Sequence, residues 1–80
     1  MTIHLRFLGP AADWAGATRA ELTVDEGTTL GTLAGRIAEQ WPAVGQRVGV
    51  RPAVNHAYVA LDTVLRDGDE VALIPPVSGG

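Results

Sequence analysis

From Thr2 to Leu8 the chain alternates, with Ile3, Leu5 and Phe7 on one side and Thr2, His4, Arg6 and Leu8 on the other. A period of two predicts a half-buried strand. Gly9-Pro10 stops it, and the alanine-rich stretch from Ala11 to Ala17, around Trp14, has room for one helical turn before Gly16 breaks it. Alternation resumes from Arg19 to Val24, with Ala20, Leu22 and Val24 opposite Arg19, Glu21 and Thr23. The two strands are suited to pair as a hairpin with a long loop. Asp25-Glu26-Gly27 is a turn, after which the hydroxyl of Thr28 or Thr29 can cap a helix by accepting an orphan backbone N–H. Leu30, Leu33, Ile37 and Trp41 follow at spacings of three and four, one apolar helical stripe with Pro42 just past its end. Gly31 and Gly35 weaken this helix by about 1 kcal/mol each relative to alanine. Their spacing is that of a membrane dimer motif, but the surrounding segment is too polar for it, and close packing or mere tolerance is the better reading.

Beyond the helix, Ala43 to Arg51 is punctuated by glycine and reads as irregular. Ala53-Val54-Asn55 reads as a short strand, Asn55-His56 as a tight turn and Tyr58 to Leu61 as another strand. Asp67-Gly68-Asp69 is a strong turn signal, and Glu70 to Ile74 makes the last strand. Pro75-Pro76 ends it, because neither residue can donate to a ladder. The order of elements predicts an α+β domain in which one main helix packs on one face of a sheet, its stripe against Ile3, Leu5 and Phe7. The domain is expected to span residues 1–74, with residues 75–80 as a flexible tail.

Composition narrows the function. With 80 residues the chain is one domain with a thin core, and it has no cysteine to reinforce it. The net charge of −3 argues against a nucleic-acid face. No apolar run is long enough to cross a bilayer, and Met1-Thr2-Ile3-His4 does not start like a signal peptide, so a cytoplasmic location is expected. All six basic residues are arginine. Without lysine, the chain cannot take a side-chain isopeptide bond from a copy of itself.

The interior of the pattern is chemically empty. His4 and His56 stand alone, away from other plausible metal ligands, and read as surface residues. Asp67, Asp69 and Glu70 lack the further oxygen ligands of a cation loop and read as a solvated turn. Ser78 has no nearby base. No glycine-rich loop joins a strand to a helix as a phosphate cradle would. No bound cofactor and no metal are expected.

What remains is Pro75-Pro76-Val77-Ser78-Gly79-Gly80. With 10 glycines among 80 residues, the final dipeptide is not decisive by itself, and a frayed end is the plain alternative. Its chemistry is distinctive all the same. A Gly-Gly end has no side chain, can thread a narrow channel and presents the least hindered carboxylate available to a protein. The two prolines stiffen the root, and six extended residues reach about 20 Å. A carboxylate needs activation, and nothing in the chain binds a nucleotide, so a partner would have to supply ATP.

The run Asp67-Gly68-Asp69-Glu70-Val71-Ala72-Leu73-Ile74-Pro75-Pro76-Val77-Ser78-Gly79-Gly80 closely resembles the C-terminal signature of the MoaD/ThiS family, and of its MoaD-type members in particular. Val54-Asn55 before an apolar segment and the Thr28-Thr29-Leu30 helix start match as well. The resemblance implies a β-grasp, ubiquitin-like fold with a mixed sheet. It also implies the role of small sulfur-carrier subunit of molybdopterin synthase, a sulfurtransferase in which this subunit is not catalytic alone. In that role an E1-like adenylyltransferase uses ATP to activate the carboxylate of Gly80, behind Gly79, and a sulfur donor converts it to a thiocarboxylate. The tail, with Pro75, Pro76, Val77 and Ser78, then enters the large synthase subunit and delivers sulfur to precursor Z, two carriers flanking a dimer of large subunits. Leu8, Tyr58 and Ile74 take the positions of the apolar surface that docks both partners. A carrier for thiamine, cysteine or a secondary metabolite, a ubiquitin-like protein modifier, and an interaction domain with an idle tail stand as alternatives.

Overall fold

A computed structural model of the chain describes residues 1–76. Val77, Ser78, Gly79 and Gly80 lie outside the described residues. The first strand, β1 (Thr2–Phe7), pairs antiparallel with β2 (Arg19–Thr23), Ile3 opposite Leu22 and Leu5 opposite Ala20. The hairpin loop contains α1 (Pro10–Ala15), which Pro10 opens from the first helical position, where its missing N–H costs nothing. The long helix α2 (Leu30–Gln40) follows, then the single turn α3 (Pro42–Gly45), β3 (Arg51–Val54) and β4 (Glu70–Ile74). The sheet order is β2-β1-β4-β3, with β1 and β4 parallel at the centre and antiparallel partners on both edges. This is the expected mixed sheet with one main helix on one face.

The stripe of α2 is buried as its spacing predicts. Leu30, Leu33 and Ile37 pack with Ile3, Leu5, Phe7, Leu22, Val71 and Leu73 in one core. Each such side chain contributes about 1.5–3 kcal/mol on leaving water. Trp41, the last member of the stripe, is half-buried and meets Phe7 edge-on, ring centroids 5.1 Å apart. Thr29 is the cap: its hydroxyl accepts from Thr32 N at 3.2 Å.

Three sequence expectations need correction. Tyr58 to Leu61 forms no strand; only Ala57 bridges back to Val54. The chain leaves the sheet because its carbonyls are needed elsewhere. Leu61 O accepts from Gly31 N at 2.8 Å and Thr63 O from Leu30 N at 2.9 Å. With Thr29, these satisfy three of the unpaired N–H groups at the start of α2. The second correction is in Ala43 to Arg51, which is not wholly irregular: α3 turns through Pro42–Gly45 and buries Val44 against the core. The third strand also starts earlier than expected, at Arg51, and ends at Val54, where Asn55 and His56 take positive φ of 47° and 70° as a tight turn requires.

The glycines of α2 have different causes. A Cβ on Gly31 would sit 3.2 Å from Leu61 O, so glycine lets the capping segment approach, whereas Gly35 faces open space. At Gly45 a Cβ would come within 2.6 Å of Ala38 Cβ, so α3 could not lie against α2. Gly35→Ala is therefore expected to raise stability by roughly 0.5–1 kcal/mol. Gly45→Ala is expected to lower it by roughly 1–3 kcal/mol through overpacking. Urea unfolding of the two variants checks the opposite signs, and equal shifts would contradict the close approach of α3.

Candidate functional site

Helices cover one face of the sheet and leave the other open. Strand alternation assigns His4, Arg6, Glu70, Ala72 and Ile74 to the open face, with Arg19, Glu21, Arg51 and Ala53 from the edge strands. Leu8 lies one residue past β1, and its N–H donates to Leu73 O at 3.2 Å, which sets it alongside Ile74. Arg51 pairs with Ile74 on the other side. The Arg51 guanidinium lies 4.0 Å from the centre of the Tyr58 ring, a cation–π stack. Leu8, Ile74, Arg51 and Tyr58 thus form a row across the end of the sheet where β4 finishes. Tyr58 is 52% exposed, although large and aromatic, and Leu8 and Ile74 are half-buried with no helix above them.

The other half of the open face is charged. Arg6 lies 3.7 Å from Glu70, a half-buried pair, and His4 Nδ1 lies 3.3 Å from Glu21, an exposed one. With Arg19 they line a shallow groove of about 500 Å³. Surface pairs of this kind add little stability; what they set is a face of alternating charge beside an apolar one.

The acidic turn is structural. Asp67 Oδ1 accepts from Thr2 N at 2.7 Å, and Asp69 accepts from Asn55 Nδ2 and from Arg66 N. Its oxygens are engaged in holding the turn to the start of β1 and to the β3 turn. His4 and His56 are both exposed. Among the described residues no three His, Cys, Asp or Glu side chains gather as a metal would require, and no helix is long and apolar enough to cross a membrane.

Of the residues singled out in the sequence, Leu8, Tyr58 and Ile74 are brought to one edge of the open face. Pro75 and Pro76 follow directly from β4 there, while Val77, Ser78, Gly79 and Gly80 lie outside the described residues. One member of the site lies beyond the sequence reading. Arg51 supports the Tyr58 ring and flanks Ile74; its position two before Ala53 in an alternating strand is the signal that points to it. Asn55, expected in a tight turn, has a further role. Its amide donates to Asp69 Oδ1 and its carbonyl accepts from Glu70 N, both at 3.0 Å, which clamps the turn that leads to Tyr58.

This sheet order, with one long helix across a single face, is the β-grasp of ubiquitin-like proteins. A crystal structure of SAMP1 from Haloferax volcanii superposes with a TM-score of 0.88 at 26% identity, each chain covered completely. A subunit in the complex of subunits 1 and 2 of molybdopterin-converting factor from Helicobacter pylori matches with a TM-score of 0.73 at 29% identity, again over the full length of both chains. In sequence, the chain is 43% identical to the molybdopterin synthase sulfur carrier subunit of Mycobacterium tuberculosis, covering 98% of this chain and 96% of that one. The model of the ThiS family matches residues 5–80, and the chain belongs to that family.

The Arg51–Tyr58 stack has a measurable consequence. A double-mutant cycle with Arg51→Ala and Tyr58→Ala, followed by urea unfolding, is expected to give a coupling of about 0.5–1 kcal/mol. Strict additivity would show that the stack does not hold the ring.

Proposed function

We propose that this chain is the sulfur-carrier subunit of a molybdopterin synthase and that its working group is the C-terminal carboxylate of Gly80. The observation that carries the reading is that family likeness runs through to Gly80, together with 43% identity over nearly the full length to a protein with that role. The H. pylori complex, in which a protein of this shape is bound to a second subunit, supports a large-subunit partner.

The chemistry follows from what the tail has and lacks. An E1-like adenylyltransferase binds the domain and ATP; a carboxylate oxygen of Gly80 attacks the α-phosphorus, pyrophosphate leaves, and an acyl-adenylate forms. A sulfur donor delivers sulfide, which displaces AMP and leaves a thiocarboxylate. With no cysteine in the chain, the terminus is where sulfur is carried. The loaded tail, residues 75–80, enters the large subunit, where sulfur passes to precursor Z and water restores the carboxylate. Gly79 and Gly80 give the narrow, unhindered end that such a channel admits. Residues 1–74 form the body that stays outside, and Leu8, Tyr58 and Ile74 form the docking strip, with Pro75, Pro76, Val77 and Ser78 contacting the partner along the way. Two carriers on a dimer of large subunits make the assembly, in the cytoplasm.

A second reading, conjugation to other proteins, draws on the likeness to SAMP1, a small archaeal modifier protein. High-mass conjugates formed after activation in a cell extract would favour it.

Incubation with the E1-like enzyme, ATP and sulfide is expected to raise the intact mass by the exchange of one oxygen for sulfur, mapped to Gly80. No gain, with the enzyme active on another carrier, would refute the reading. Gly79→Val is expected to cut sulfur transfer by roughly a hundredfold with an unchanged thermal midpoint; normal transfer would sink the channel argument. Ile74→Glu is expected to weaken binding to both partners at least tenfold, about 1.4 kcal/mol, read by calorimetric titration; equal affinity would remove Ile74 from the docking strip.

A further inference from the structure

The sheet order places the end of β4 between two loops. The loop after β1 flanks it on one side, since β1 runs parallel to β4 and ends at the same edge. The loop before β3 flanks it on the other, since β3 is antiparallel and starts there. Each loop presents a glycine to one proline of the tail root. A Cβ on Gly9 would lie 3.7 Å from Pro75 Cγ, in contact. A Cβ on Gly49 would lie 3.1 Å from Pro76 Cβ and 3.4 Å from its Cγ, closer than carbons rest at optimal separation.

Positive φ alone does not explain this pair. Gly9 and Gly49 have φ of 51° and 89°, but Gly27 and Gly68, at 86° and 85°, satisfy the same backbone demand in open space, with no atom within 4 Å of a built Cβ. At 9 and 49 the missing side chain also leaves room for a proline. The two prolines are the residues least able to absorb a push, because the ring fixes φ near −65°. Displacement at Pro76 is therefore carried onward along the chain instead of being relaxed locally.

We propose that Gly9 and Gly49 are the two walls of an exit saddle that sets the direction in which the chain leaves β4, and that Gly49 is a positioning residue for reactions at the C-terminus. The saddle adjoins the Leu8–Ile74 strip, so the docking surface and the line of departure of the tail are fixed relative to each other. A partner that grips the strip then meets the tail at a defined angle. The inference rests on the reading of Gly80 as the reacting terminus.

The test compares Gly49→Ala with Gly27→Ala. Both put a methyl group on a left-handed backbone of nearly the same φ, and only the first presses on the tail root. A third variant, Gly49→Asn, keeps bulk at the saddle while tolerating positive φ, so that lost folding is not mistaken for lost aim. Thiocarboxylation by the E1-like enzyme with ATP and sulfide is followed by intact mass as a function of carrier concentration. For Gly49→Ala and Gly49→Asn, kcat is expected to fall roughly ten- to a hundredfold, with KM, set by the docking strip, within about twofold of the parent. Gly27→Ala is expected to change neither by more than about twofold. In the parent protein, nuclear Overhauser contacts between Gly49 Hα and Pro76 Hβ are expected. Equal kcat in all variants, or absence of those contacts, overturns the saddle while leaving the sulfur-carrier reading intact. Failure of the parent to gain mass overturns that reading, and with it the role of Gly49, whatever the contacts show.

Discussion

The parallel pairing of β1 with β4 is the constraint on which the rest of the molecule depends. It joins the first strand of the chain to the last, His4 beside Glu70 and Phe7 beside Leu73. It also buries Ile3, Leu5, Val71 and Leu73 at the centre of the sheet. A parallel neighbour cannot be reached by a tight turn, so everything between the strands serves as the connection: a hairpin, a helix across one face and an edge strand. The contacts that stabilise the pair are long-range, and their loop-closure entropy must be offset by the apolar surface that α2 covers. The Asp67 turn adds a polar clamp at the start of β1, with Thr2 bonded through both its N–H and its carbonyl.

A consequence of that pairing is where the chain stops being sheet. Because β4 is central and parallel to β1, its C-terminal end emerges in the middle of one edge, flanked by loops and bordered by the open face. A tail leaving from an edge strand would have solvent on one side. Here it leaves between Gly9 and Gly49, next to Leu8 and Ile74. The same geometry that closes the core thus places the root of the tail, Pro75 and Pro76, beside Leu8 and Ile74. Glycine has three distinct tasks in this small domain: turn geometry at Gly27 and Gly68, close approach at Gly31 and Gly45, and clearance for the tail root at Gly9 and Gly49.

Much of this was legible in the sequence. The alternation of Ile3, Leu5 and Phe7 and the stripe of Leu30, Leu33 and Ile37 name the core residues, because each period matches a single backbone geometry. A threonine cap at 28 or 29, which the structure resolves as Thr29, Asp67-Gly68-Asp69 as turn and Pro75 as stop are local chemistry and lie where expected. Tyr58 to Leu61 misled because apolar, β-branched and aromatic residues look like a strand, while the backbone there is committed to capping α2. Nothing local signals that commitment. The turn of α3 was hidden for a similar reason: Pro42 to Gly45 becomes helical through the burial of Val44 and the fit of Gly45 against Ala38, which are tertiary contacts.

The sequence by itself determined the α+β class, the central core residues Ile3, Leu5, Phe7, Leu30, Leu33 and Ile37, the boundaries of the last strand and the terminal glycines with their likeness to the ThiS family. Periodicity, capping and composition act within a few residues, and so can be read from a linear string. The tertiary structure alone decided which strands are neighbours, which face stays open, that Arg51 braces Tyr58 beside Ile74, and that Gly9 and Gly49, 40 residues apart in the numbering, meet the two prolines of the tail root. Those relations depend on the register of β4 between β1 and β3, a choice made by packing over the whole core.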